Sequence, residues 1–425
     1  MFTPFTTADR RSTSGGERIA ALDIQRGIAI LLILFFNLPT MGGPLAAHEG
    51  DPRLIGWSGP DQPIWWVMSI FLQDTQRGLL ELIFGAGVCL ALARTVAGDS
   101  DRAPLFAHLR RCIVLMLLGL VDIFGFLWLG DFLLVYGAAG LLLPLLRKLR
   151  APLLLIIGSG FLLFTVQQGL SARAAMVEPP VAASTETAGA PMAVATSGTG
   201  VVQPAGAERI ARLGAYPLYA SWMIQQWREV VFRSGLILIF IMEAFFTMVV
   251  GMALFKLGII QGDRSRPFYL RAMLLCYAVA LPVRIAEAQS LLGSTTDLPL
   301  DLLHEGARLL MTVGHVCLIN LILKTRIGTD LFAPLKPVGR FALSLYLMQS
   351  VVAMLILFPG FGLGLWGKLS WTGFAAYCLT SAMLQTALAN LWATHFRLGP
   401  VEYLTRAIVH ARPGRRGGVN RGMGA

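Results

Sequence analysis

Six charged or basic side chains interrupt apolar runs of this chain: Arg26, Glu81, Asp122, Glu243, Arg308 and His315. An ion at the centre of a membrane costs at least about 2.5–3.5 kcal/mol on insertion scales, so each needs a cavity, a partner or a bound proton. Glu305, Arg308, Thr312 and His315 recur at steps of three, four and three, which puts them on one inward helical face. His315 is the one histidine near the centre of an apolar run, and His48 lies in the first loop. Either fits a general base or proton relay, although a lone histidine more often serves packing through hydrogen bonds. Asp122 and Glu243 each sit mid-run, where a neutral carboxyl is the bland alternative. Arg77 and Glu81 are spaced i,i+4 before Phe84-Gly85-Ala86-Gly87. They suit an intrahelical ion pair or the wall of a cavity, with Gly85 and Gly87 admitting another helix. Asp23 pairs by spacing with Arg26, and Asn37 lies three turns further along the same face. Asp131 follows Gly130 and reads most simply as a turn residue. Arg340 opens a run with Ser344, Tyr346, Gln349 and Ser350, polar groups that bind a ligand or hydrogen-bond helix to helix. Ser344, His315 and Asp122 make a hydrolytic triad only on paper, since no GxSxG elbow is present.

The elements that must carry these groups are helices in lipid. Of 425 residues, 55% are hydrophobic and 14% charged, against roughly 25% charge in a soluble domain. Mean hydropathy is +0.66. These values exclude an ordinary soluble enzyme, a disordered chain and a coiled coil. About ten apolar stretches are long enough to cross a bilayer: 20–40, 65–93, 112–129, 132–146, 152–169, 235–255, 268–289, 304–323, 341–358 and 371–392. Continuous apolar runs without period-two alternation favour an all-α polytopic protein over a barrel. In the second stretch, 64–76 alternatively forms an interfacial helix with Trp65 and Trp66 at the headgroups.

Charge sets the orientation. With both termini cytoplasmic, about 24 of the 35 basic residues fall on the inner side and about seven outside. The net charge of +11 is therefore mainly a topology record rather than a nucleic-acid footprint. The organisation expected is a cytoplasmic tail over 1–18, a first bundle over 19–170, an extracytoplasmic linker and amphipathic helix over 171–233, a second bundle over 234–393 and a basic tail over 394–425. The linker is rich in Ala, Thr, Ser, Pro and Gly. Tyr216, Trp222 and Trp227 among Arg209, Arg212 and Arg228 suit a helix on the outer leaflet. Asp23 and Arg26 at the start of the first apolar run argue against a cleaved signal peptide. Cys89, Cys112, Cys276, Cys317 and Cys378 all lie in apolar runs, as buried free thiols do. No CxxC, HExxH or Walker A pattern occurs, and no metal site is expected. Gly360 to Gly367 contains GxGxxG outside any strand–helix context and reads as a loop.

Several stretches together resemble the DUF418 family, the YeiB-like bacterial inner-membrane proteins. They are Leu22-Asp23-Ile24-Gln25-Arg26-Gly27 leading to Asn37, Arg77 through Gly87, Gly130-Asp131-Phe132 through Tyr136, Gly339 through Ser350, and Phe396 through Tyr403. The resemblance covers nearly the whole chain in the expected order. It implies kinship with transmembrane acyltransferases, and thus acyl-CoA as a cytoplasmic co-substrate, an envelope carbohydrate or similar acceptor, and no permanently bound cofactor. On that reading Arg26 and Arg340 hold the donor's phosphates, and His315, His48 or Asp122 is the base. Relatives commonly carry histidine where this chain has Asp122, in Gly119-Leu120-Val121-Asp122, and Thr-Asn where it has Ser344-Leu345. Asp122 must then replace the histidine, or the chemistry is altered. The competing expectation is a proton-coupled transporter built on Glu243 or Asp122, with Asp23, Asp131 and Arg308 as structural or relay groups.

Overall fold

The computed structural model describes residues 20–92, 102–177, 205–294 and 299–410. The N-terminal tail, most of the linker and the tail beyond His410 lie outside the described residues. The described residues form helices and connecting turns, with no strand among them. That follows from the solvent: lipid offers no hydrogen bonds, so each crossing segment must satisfy its own backbone.

The long helices are α1 (Ala20–Gly42), α2 (Asp61–Val67), α3 (Thr75–Leu92), α4 (Arg102–Phe124), α5 (Leu133–Gly140), α6 (Ala151–Gly158), α7 (Gly160–Val177), α8 (Ala205–Leu213), α9 (Tyr216–Gln226), α10 (Leu236–Lys256), α11 (Arg266–Leu291), α12 (Leu300–Leu323), α13 (Ala342–Val351), α14 (Trp371–His395) and α15 (Pro400–His410). Seven helical stretches among the described residues are long and apolar enough to cross a membrane. Each of the ten apolar runs is mainly helical, and the 112–129 run leaves its helix at Phe124. The 132–146 run is split into α5 and a short turn of helix over Leu143–Leu146, with Pro144 in its first turn. The 341–358 run is α13 extended by a π-helical turn, Val352–Leu357.

In the second run the segment expected to set Trp65 and Trp66 at the headgroups turns Trp65 into the protein. Trp65 is buried and packs edge-on against Trp57 at 5.4 Å and Trp66 at 5.3 Å. α2 continues through a π-helical turn, Met68–Leu72, and the chain breaks at Gln73–Asp74. Asp74 takes φ +62°, a left-handed conformation that aspartate tolerates better than most residues. Arg284 of α11 satisfies the carbonyls freed there, donating to Ser69 O at 2.9 Å and Gln73 O at 3.1 Å. It is therefore buried structure rather than an interfacial charge.

Helices from the two halves of the sequence pack on one another. α10 crosses α3, and α1 lies against α3, α14 and the short helix Leu335–Arg340. Glycines make the close crossings. A Cβ at Gly85 would collide with the Met248 carbonyl, and one at Gly251 with the Leu82 carbonyl, so α3 and α10 are locked face to face. A Cβ at Gly339 would strike the Asp23 carbonyl. Gly87, by contrast, faces open space.

α8 is amphipathic, but its charged face points inward. Glu208 accepts from the Leu45 amide at 3.3 Å, and Arg212 donates to Met41 O at 3.3 Å and lies 5.1 Å from the Trp222 ring. Ile210 faces outward. Further along the outer segment, the Arg233 hydrogen bond holds the half-buried Glu229 carboxyl below its ordinary range. All five cysteines are buried and free.

Candidate functional site: a basic cavity beside two buried ionic clusters

The first cluster lies where α3, α10 and α12 meet. Arg77 grips Glu243 with both terminal nitrogens, at 2.8 and 2.6 Å, and reaches Asp74 at 3.5 Å. Its guanidinium sits 4.9 Å from the Phe132 ring and 5.4 Å from that of Phe240. Arg308 contacts Glu243 and Glu305 at 2.8 Å each, Thr247 at 3.2 Å and Glu81 at 3.7 Å. Neither oxygen of the fully buried Glu81 receives a hydrogen bond. From Glu305 the chain of charges continues through His304 at 3.9 Å to Glu287 at 3.0 Å and Arg284 at 2.8 Å. Spacing suggested an Arg77–Glu81 pair within one helix. The fold instead turns Arg77 across to α10.

The second cluster joins the end of α4 to α13. Ser350 donates to Asp122 at 3.1 Å, and the Tyr346 hydroxyl donates to Asp131 at 3.4 Å. The Leu134 amide caps Asp131 at 3.0 Å, and the Phe132 amide donates to the Tyr346 oxygen at 3.4 Å. Asp122 and Asp131 are both buried, and the groups that hold them, Ser350 and Tyr346, lie one turn apart on α13. Asp131 is thus a turn residue and also one half of a buried acid pair.

Between these clusters and the end that charge assigns to the cytoplasm lies a cavity of about 970 Å³. α1, α3, α4, α13 and α15 enclose it. Its walls are apolar, with Ile30, Ile33, Leu80 and Ile83 among them, and its inner end is closed by Phe132, Tyr136 and Tyr346. Its other end carries five arginines, Arg26, Arg111, Arg340, Arg397 and Arg406, against two carboxylates, Asp23 and Glu402. Both carboxylates are engaged. Asp23 pairs with Arg26 at 3.3 Å. Glu402 accepts from the Leu343 and Ser344 amides at 2.8 and 3.0 Å and from the Ser344 hydroxyl, which fastens α15 to the start of α13. Among the described residues no carboxylate comes within ion-pair distance of Arg111, Arg340, Arg397 or Arg406. Arg111 rests against Phe84 at 5.3 Å and Arg340 against Phe341 at 5.4 Å. The buried arginines elsewhere, Arg77, Arg212, Arg284 and Arg308, all face carboxylates. Unpaired guanidiniums above an apolar pocket form a receptor for a ligand with an anionic head and an apolar tail.

Other expected site residues fall elsewhere. His315 has both ring nitrogens occupied: Nε2 donates to Phe71 O at 2.9 Å, and Nδ1 accepts from Tyr277 at 2.9 Å. Ser344, His315 and Asp122 have separate partners and form no triad. Asn37 lies on the face of Ile30 and Ile33, one turn beyond the cavity, with its buried Oδ1 unpartnered. Gln349 ties α13 to Ile30 O and Gln385 Oε1, at 3.0 Å each. His48 belongs to a short helix, Leu45–Glu49, and its side chain lies outside the described residues. The sequence reading missed Arg111, Arg397, Arg406 and Glu402 as site residues. Arg111 and Arg406 carry no signal beyond their place at the basic ends of spans, whereas Arg397 and Glu402 fall within the Phe396–Tyr403 stretch.

The fold defines a multi-pass, all-helical membrane protein. Residues 254–412 match the family described as Protein of unknown function (DUF418). The chain is 29% identical over 413 residues to "Uncharacterized protein YxaH" of Bacillus subtilis (strain 168), covering 94% of this chain and 96% of that protein. It is 24% identical over 416 residues to "Uncharacterized protein YeiB" of Escherichia coli (strain K12), covering 92% and 96%. The C-terminal part of the chain is thus similar to that family, and the similarity to YxaH and YeiB runs along nearly the whole of it. No solved structure matches it.

Proposed function

We propose that this protein is an integral-membrane acyltransferase of the bacterial cytoplasmic membrane. It takes an acyl-CoA into the basic cavity and passes the acyl group to a carbohydrate or similar envelope acceptor. The observation that carries this reading is the pairing of four arginines, none with a carboxylate partner among the described residues, with an apolar-walled pocket of about 970 Å³. Phosphates suit the guanidinium end, and the thioester with its acyl chain suits the apolar end. Arg26 and Arg340, singled out by sequence, both line the pocket. In the test, purified protein in nanodiscs is incubated with radiolabelled acetyl-CoA and palmitoyl-CoA and an envelope extract. Saturable binding and a labelled envelope product are expected. Absence of both sinks the proposal.

A proton-coupled transporter is the second reading. One observation favours it: a chain of charged groups leads from the undonated Glu81 through Arg308, Glu305 and His304 to Glu287. It requires solute uptake into proteoliposomes that follows an imposed proton gradient and is lost in Glu81→Gln. Uptake without any acyl-CoA binding would favour it over the first.

A further inference from the structure

The inner end of the cavity holds a group whose role no spacing in the sequence suggests. This inference rests on the acyltransferase reading and assigns a proton acceptor to it. Two carboxylates line the cavity, and both belong to the arginine end. Asp23 is paired with Arg26, and Glu402 is saturated by donors from α13. At the apolar end the polar side chains are the hydroxyls of Tyr136 and Tyr346. The Tyr136 hydroxyl donates to the Arg77 backbone carbonyl at 3.1 Å, and a peptide oxygen cannot pass a proton on. The Tyr346 hydroxyl donates to the Asp131 carboxylate at 3.4 Å, and the second buried acid at this turn, Asp122, is held at 3.1 Å by Ser350, one turn along α13 from Tyr346. Among the described residues this is the one route from the inner end of the cavity to a carboxyl. It also runs outward, because Asp122 and Asp131 flank the turn after α4, which charge assigns to the outer side.

We infer that Tyr346 takes the acceptor's proton during acyl transfer, with Asp131 and Asp122 as the positioning pair that receives and returns it. In the forward step the acceptor oxygen bonds to the thioester carbonyl carbon. Its proton passes to the Tyr346 oxygen as the Tyr346 proton passes to Asp131. On collapse the carbon–sulfur bond breaks, the electron pair leaves with sulfur, and the proton returns along the same path to give the free CoA thiol. The products are the acyl ester and CoA, so no oxidant or further reactant is needed. The Phe132 amide, already directed at the Tyr346 oxygen, supports the negative charge that oxygen gathers.

The test uses full-length protein in nanodiscs with radiolabelled acetyl-CoA and palmitoyl-CoA. It measures Kd by equilibrium dialysis, and kcat and KM for transfer to envelope extract and for thioester hydrolysis with water as acceptor. Tyr346→Phe and Asp131→Asn should keep Kd and KM within about threefold while kcat falls by about 10²–10⁴-fold. Asp122→Glu should recover more turnover than Asp122→Asn, and Tyr277→Phe, outside the cavity, should match wild type. Full turnover by Tyr346→Phe overturns the inference. So does a parallel loss of binding, turnover and thermal midpoint in Tyr346→Phe, which marks a packing role. If wild type turns over neither acyl-CoA, the acyltransferase reading itself fails and this assignment with it.

Discussion

Glu243 shows what a single residue contributes here. Two guanidiniums, Arg77 and Arg308, close on one buried carboxylate at 2.6–2.8 Å. Such a group of charges adds little over a well-packed apolar substitute, yet removing one member strands the others. Glu243→Ala should therefore cost about 3–5 kcal/mol. A large drop in the detergent melting midpoint and poor membrane yield would show it. Arg340, Arg397 and Arg406 should behave in the opposite way, since among the described residues none of them has a carboxylate partner. Arg340→Ala should weaken acyl-CoA binding by about 10–100-fold, the range for a charge-assisted hydrogen bond, without lowering the melting midpoint. Arg397 and Arg406 are more exposed, and solvent screening should hold each loss to about tenfold or less. Equilibrium dialysis of the three variants would rank them.

At the level of elements, the glycines of α3 divide by what they face. Gly85 meets the Met248 carbonyl of α10, whereas Gly87 meets nothing within 4 Å. Gly85→Ala should push α3 from α10 and destabilise by roughly 1–3 kcal/mol. Gly87→Ala should leave stability unchanged or raise it by up to about 1 kcal/mol through helix propensity. Thermal midpoints of the two variants test this, and equal effects would contradict the crossing described. The sequence reading treated both glycines as helix-contact positions. Spacing cannot distinguish them, because which face meets a neighbour depends on where that neighbour lies.

The whole molecule is a topology written in arginine and a cavity open at its basic end. All five native cysteines are buried, so introduced cysteines can be labelled without removing them. Arg228→Cys should react with a membrane-impermeant maleimide added outside intact cells. Asp263→Cys should react only after permeabilisation. The reverse pattern would invert the assignment and place the basic end of the cavity outside. Ligand binding should also weaken as salt rises, because the exposed guanidiniums act through solvent. A salt-independent Kd would argue against phosphate recognition by Arg397 and Arg406.

The ten apolar runs were legible in the sequence because lipid demands long continuous apolar stretches and imposes its rule on each segment separately. The Asp23–Arg26 pair and the inward stripe of Glu305, Arg308 and Thr312 were legible for a similar reason, since helical periodicity is local. Partners across the bundle were not. Arg77 passes over the adjacent Glu81 for Glu243, more than 160 residues away. Arg212 turns inward to hold Met41, and His315 is spent on Tyr277 and Phe71. The cavity is the clearest case. Its arginines come from α1, α4, the α15 region and the start of α13, and each one alone looks like a cytoplasmic anchor. Only the packing of α15 against α4 and α13 brings them to one opening. Sequence thus determined the solvent and the segments, because those depend on the transfer free energy of one stretch at a time. Tertiary structure decided which charges are paired and which are left facing a pocket, because that depends on the distance between helices far apart in the chain.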